Sequence, residues 1–145
     1  MENAGRVLLV ERDWAARERM GRWLEDAGYE TLACPGPSEP DYNCVASRAG
    51  RCPLAVGASV VVLDLRLEGG PAGDGTTAGE LLTCYLSEGA GVVALQRIGT
   101  DPPRRDEQVV VLPWPPEQTA LLKAVRSVVA GRNLGGDHHA ARWSA

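Results

Sequence analysis

The sequence predicts an α/β domain: a doubly wound, five-stranded parallel sheet with helices on both faces. Three observations predict it. Short apolar runs, rich in β-branched residues, recur five times and alternate with helical periodicity or polar breakers. The clearest run, Ser59-Val60-Val61-Val62-Leu63-Asp64, is apolar on both faces, as a central parallel strand must be. The chain has 145 residues, 44% hydrophobic and 23% charged, which suits one domain with its own core.

The elements follow in order. Arg6-Val7-Leu8-Leu9-Val10 reads as a buried strand that ends at charges. Asp13 is placed to cap the next helix, whose apolar face is Ala16, Met20, Trp23, Leu24 and Ala27. Gly28 is placed to close it. Tyr29-Glu30-Thr31-Leu32-Ala33 is the second strand. From about 34 to 58 the pattern is lost in a Pro/Gly/Cys-rich insertion, where Pro35, Pro37, Pro40 and Pro53 prevent a long helix.

After the strand ending in Asp64 comes a Gly-rich loop over 68–75. Ala78, Leu81, Leu82, Tyr85 and Leu86 mark a helix closed by Gly89. Gly91-Val92-Val93-Ala94-Leu95 is the fourth strand. Residues 97–108 are polar and contain Pro102-Pro103, so any helix there is short. Val109-Val110-Val111-Leu112 is the fifth strand. The last helix is expected over about 117–130, with Leu121, Leu122, Val125, Val128 and Val129 on its apolar face. Residues 131–145 are expected to form a flexible C-terminal tail.

The net charge of −4 gives no basic surface for nucleic acid or an anionic membrane. The start has no secretory pattern, and no apolar run approaches the roughly 20 residues that span a bilayer. A cytoplasmic protein is expected. In parallel sheets of this kind, ligands bind beyond the carboxyl ends of the strands. The residues at those ends are Glu11, Arg12 and Asp13, then Asp64, Gln96 and Trp114.

Other chemistries are poorly served. Gly70 to Thr77 has a phosphate-loop spacing, but Thr76 stands where the lysine belongs. No Gly-x-Gly-x-x-Gly follows the first strand, and no nucleophile elbow of the Gly-x-Ser-x-Gly type is present. An independent enzyme is not expected. Cys34, Cys44 and Cys52 lie in or beside the insertion without a C-x-x-C pair, and Cys84 reads as a core thiol. Three readings stay open for the first three: packed thiols, a redox-responsive pair, or part of a metal site. An interaction module governed by redox or metal is therefore the alternative function. His138 and His139 read as solvated residues of the tail.

Four stretches resemble the receiver domains of two-component response regulators. They are Val7 to Asp13, Trp23 to Glu30, Val61 to Leu67 with Asp74-Gly75, and Leu112-Pro113-Trp114-Pro115 with Leu121-Leu122. The resemblance spans roughly residues 6–130, and the receiver-like domain is expected over residues 1–130. It implies the flavodoxin-like strand order 2-1-3-4-5. It implies that Asp64 stands at the phospho-acceptor position, with Glu11 and Asp64 as the remnant of a Mg2+ site. A histidine kinase or another signalling protein is the implied partner, and a homodimer is a further one. The resemblance implies a role in two-component phosphorelay signalling; no output domain is expected after the last helix, so a stand-alone role through protein contacts is expected.

The implied site is incomplete. Arg12 stands where the second acid belongs, Gln96 replaces the hydroxyl residue, and Trp114 replaces the lysine. Asp13 comes one position late. A cation in place of a carboxylate beside a metal costs roughly 4 kcal/mol per like-charged pair at about 4 Å and an effective dielectric near 20. Weak or absent phosphorylation is expected, with Arg12 free to pair with Asp64. Trp114 is expected to serve as core or rim packing.

Overall fold

The computed structural model describes residues 5–35, 57–66, 78–97 and 109–144. Five parallel strands form one sheet: β1 (Arg6–Val10), β2 (Glu30–Cys34), β3 (Val60–Asp64), β4 (Gly91–Gln96) and β5 (Val109–Pro113). Their order is β2-β1-β3-β4-β5. The helices are α1 (Trp14–Asp26), α2 (Ala78–Ser87) and α3 (Gln118–Ser144). The doubly wound class agrees with the alternation of elements in the sequence, and the strand order with what the resemblance implies.

The sheet sorts its side chains by the two-residue period of a strand. Val7, Leu9, Val60, Val62, Val93 and Leu95 face α1 and α3, against Met20, Leu24, Leu121 and Val125. Leu8, Val10, Val61, Leu63, Val92 and Ala94 face the other way, toward Leu82 and Tyr85 of α2. Every residue of β3 and β4 is buried. Two apolar faces are what a near-continuous apolar strand requires.

Both ends of α1 are set by the sequence. The Ala16 amide donates to the Asp13 carboxylate at 3.0 Å, so Asp13 is the N-cap. At the far end Gly28 adopts φ 95°, which a side chain would oppose. Its amide donates to the Glu25 carbonyl (2.9 Å), and the Tyr29 amide to the Leu24 carbonyl (3.0 Å). This is a Schellman closure. Gly89 and Ala90 repeat it on α2, donating to the Leu86 and Tyr85 carbonyls.

β4 and β5 each run one residue further than expected, to Gln96 and Pro113, and three other details differ from the sequence reading. β2 begins and ends one residue later than expected. Ala27 is exposed at the C-cap of α1 rather than on its buried face, because the Schellman turn rotates it outward. The last helix does not stop near residue 130 but continues to Ser144, so the segment read as a loose tail has helical backbone. Gly131, the first residue beyond the expected helix, does not take the positive φ of a terminating glycine. Ala140, Ala141 and Arg142 beyond it favour a helix, whereas Asn133, Gly135, Gly136 and Asp137 oppose one, so residue propensity alone does not account for the extension. Of the insertion, residues 36–56 lie outside the described residues, as do the Gly-rich loop and residues 98–108.

Candidate functional site at the carboxyl end of the sheet

Strand register places the site. Val10 pairs with Leu63, so Glu11 and Asp64 leave adjacent strand ends side by side. Asp64 pairs with Leu95, and Gln96 with Pro113, which puts Trp114 just beyond the end of β5. The Trp114 amide donates to the Gln96 carbonyl at 2.8 Å and fixes that exit.

Glu11 and Asp64 are both buried, with side-chain exposures of 0% and 2%. Buried carboxylates need partners. For Asp64 the partner is Arg66, two residues on. The Arg66 backbone amide donates to Asp64 Oδ1 at 2.8 Å. Its guanidinium donates through Nε to Oδ1 (3.1 Å) and through Nη2 to Oδ2 (2.9 Å). Both carboxylate oxygens are therefore held by a two-pronged, charge-assisted contact. The same guanidinium lies over the Trp114 ring, 3.3 Å from its centroid, in a cation–π stack.

Glu11 is held from other directions. Trp114 Nε1 donates to Glu11 Oε1 at 2.7 Å. The Asp13 amide donates to Oε2 at 3.2 Å, and Arg17 Nη1 donates to the Glu11 carbonyl at 2.9 Å. Arg66 Nη2 stands 3.9 Å from Glu11 Oε2, an ion-pair distance too long for a hydrogen bond. Burial pushes the Glu11 carboxyl up from its ordinary 4.5 to about 7. A hydrogen bond to Asp64 and the nearby Asp64 charge add to the rise, while the Trp114 and Asp13 donors oppose it.

The structure thus brings Glu11, Asp64 and Trp114 together as a site. Arg12 is exposed, and the pairing with Asp64 expected of it belongs to Arg66. Arg12 follows Glu11 immediately, so its side chain leaves on the opposite side from the buried Glu11 carboxyl. Asp13 spends its carboxylate on the α1 cap and is exposed. Gln96 is buried at the end of β4. Trp114 does more than pack: its indole joins Glu11 to Arg66.

Arg66 is the residue sequence reasoning missed. A signal was available, since an aspartate at a strand end commonly turns its carboxylate back to the backbone amide two residues on, which sets Arg66 beside Asp64.

Of the cysteines, Cys34 is buried with Leu8, Val10 and Leu63, and Cys84 packs against the same cluster. Neither forms a disulfide among the described residues. Cys44 and Cys52 lie outside them, as do Asp74 and Gly75.

A Mg2+ ion at this site does not fit the residues present. Both Asp64 oxygens already bind a cation, and Glu11 is engaged by Trp114 and Asp13. A dication about 4 Å from the guanidinium would be repelled by about 8 kcal/mol at an effective dielectric near 20. Among the described residues, no group of three or more His, Cys, Asp or Glu could hold a metal ion. Among the same residues, no helix is long and apolar enough to cross a membrane.

No protein-family model and no curated protein sequence matches the chain. Solved structures do. A CheY-like response regulator receiver domain protein from Methanospirillum hungatei JF-1 superposes with a TM-score of 0.60 at 19% identity, over 89% of this chain and 97% of that one. Full-length FixJ from B. japonicum gives 0.67 at 19% identity, over 96% of this chain and 64% of that one. The receiver domain of Francisella response regulator 1452 gives 0.60 at 15% identity, over 87% and 97%. The fold is that of response-regulator receiver domains.

Proposed function

We propose that this chain is an atypical receiver domain in two-component signal transduction, one that acts through protein–protein contacts with little or no phosphorylation of Asp64. The receiver-like unit occupies residues 1–130. A single observation carries the reading: Arg66 holds both oxygens of the carboxylate at the acceptor position. A nucleophilic oxygen must be presented to the incoming phosphoryl group, and a metal and a cation must offset the charge that develops. Here the oxygens face a guanidinium. The position of the expected lysine carries the uncharged Trp114, and that of the expected hydroxyl carries Gln96.

The signal is then a matter of surface recognition by a histidine kinase or another signalling protein in the cytoplasm, or by a second copy of the chain. The test is addition of beryllium fluoride and Mg2+, followed by 19F NMR. The chain is expected to give no bound fluoride signal. A stoichiometric bound signal that disappears in Asp64→Asn would overturn the reading.

A further inference from the structure

The misfit of a divalent cation has a positive counterpart in the geometry. Two buried carboxylates leave adjacent strands toward one crevice, and buried charge demands compensation. In place of a free ion, one guanidinium reaches both: 2.9 Å to Asp64 Oδ2 and 3.9 Å to Glu11 Oε2. It comes from the segment directly after β3, two residues from Asp64, so its delivery needs no long-range ordering. One face of it is covered by the Trp114 ring, which is itself anchored to Glu11 by a 2.7 Å hydrogen bond. Arg12, the cation expected to act here, is exposed.

We propose that the Arg66 guanidinium is a tethered replacement for a divalent cation: it occupies the cation position between Asp64 and Glu11, and its removal opens that position to a metal ion. The inference deepens the functional reading above and rests on its assignment of the site as receiver-type. The tether explains how the corner keeps two buried acids although Arg12 stands where the second strand-end acid is expected and Trp114 where the lysine is expected. An ion bound by only two carboxylates depends on its concentration in solution. A side chain two residues away is always present.

The test uses the whole chain and Mn2+ as the probe, with binding read by water-proton relaxation and by titration calorimetry. Wild type is expected to show no saturable binding up to about 10 mM Mn2+. Arg66→Ala and Arg66→Gln are expected to bind at least about tenfold more tightly than wild type, and Asp64→Asn in the Arg66→Ala background to abolish that gain. Arg66→Lys, which keeps the charge, is expected to remain like wild type.

Saturable binding to wild type that a folded Asp64→Asn lacks overturns the inference, and this holds whether or not the Arg66 variants fold. So does a folded Arg66→Ala that binds no better than wild type. Phosphoryl uptake is scored separately. A wild-type chain that binds Mn2+ at Asp64 yet takes up no phosphoryl group sinks the tethered cation and leaves the functional reading standing. A chain that takes up phosphoryl groups sinks the functional reading, and the tether is then judged on Mn2+ alone.

Discussion

The guanidinium of Arg66 grips both carboxylate oxygens of Asp64, at 3.1 Å and 2.9 Å, while its face rests 3.3 Å from the centre of the Trp114 ring. Because Asp64 is buried, truncating Arg66 leaves a carboxylate without its counter-charge. Arg66→Ala is expected to lower stability by about 2–4 kcal/mol, somewhat under the usual cost of breaking a buried pair because Arg66 keeps some solvent contact. Urea unfolding measures it. In a double-mutant cycle with Asp64→Asn, a coupling of about 1 kcal/mol or more is expected, and additivity within about 0.3 kcal/mol contradicts the pairing.

Trp114 bridges strand ends that lie three interstrand steps apart, roughly 14 Å along the sheet. Trp114→Phe keeps a ring under Arg66 but deletes the donor to Glu11. It is expected to cost about 1–3 kcal/mol, since a buried acceptor loses its partner. The Glu11 carboxyl should rise further, because Trp114 is among the donors that hold it down. A carbon-detected NMR titration of the Glu11 carboxyl reads this directly, and an unchanged titration midpoint would show that the indole does not act on Glu11.

The raised Glu11 carboxyl makes stability depend on pH. Between 4.5 and about 7 the folded state holds a proton that the unfolded chain has released. Stability from this group is therefore full below pH 4.5 and is lost as pH rises through about 7. The whole change is about 3 kcal/mol. Glu11→Gln cannot titrate, so wild type should lose ground to it between pH 5 and pH 8. Urea unfolding at both values checks the sign, and a difference that is flat with pH contradicts the burial of Glu11.

The two neighbours of Glu11 in sequence should separate cleanly. Asp13→Ala removes the α1 cap and is expected to cost about 1 kcal/mol. Arg12→Ala, at an exposed position, should stay within about 0.5 kcal/mol. A larger effect at Arg12, measured by the same unfolding experiment, would make Arg12 rather than Arg66 the counter-charge of Asp64.

Much of this was legible in the sequence. The apolar run that ends in Asp64 could only be a central strand, and the caps at Asp13, Gly28 and Gly89 mark helix ends by local chemistry alone. Glu11 and Asp64 follow once two strand ends are laid side by side. The partner of Asp64 was harder. Arg12 and Arg66 are chemically equivalent, and only the local turn geometry after each strand separates them: the Arg66 amide is drawn back to Asp64 Oδ1, whereas Arg12 is exposed. The dual contact of Trp114 depends on a crossing from β5 to β1, which no local pattern encodes. The extension of α3 past Gly131 reflects the same limit: a glycine near a helix end signals a stop but does not impose one.

The central claim is that Asp64 is occupied by Arg66 and is not presented for phosphorylation. Incubation of the wild-type chain with acetyl phosphate and Mg2+, read by intact-protein mass spectrometry, tests it most directly. No adduct with the mass of one phosphoryl group is expected. A stoichiometric adduct that Asp64→Asn abolishes would contradict it.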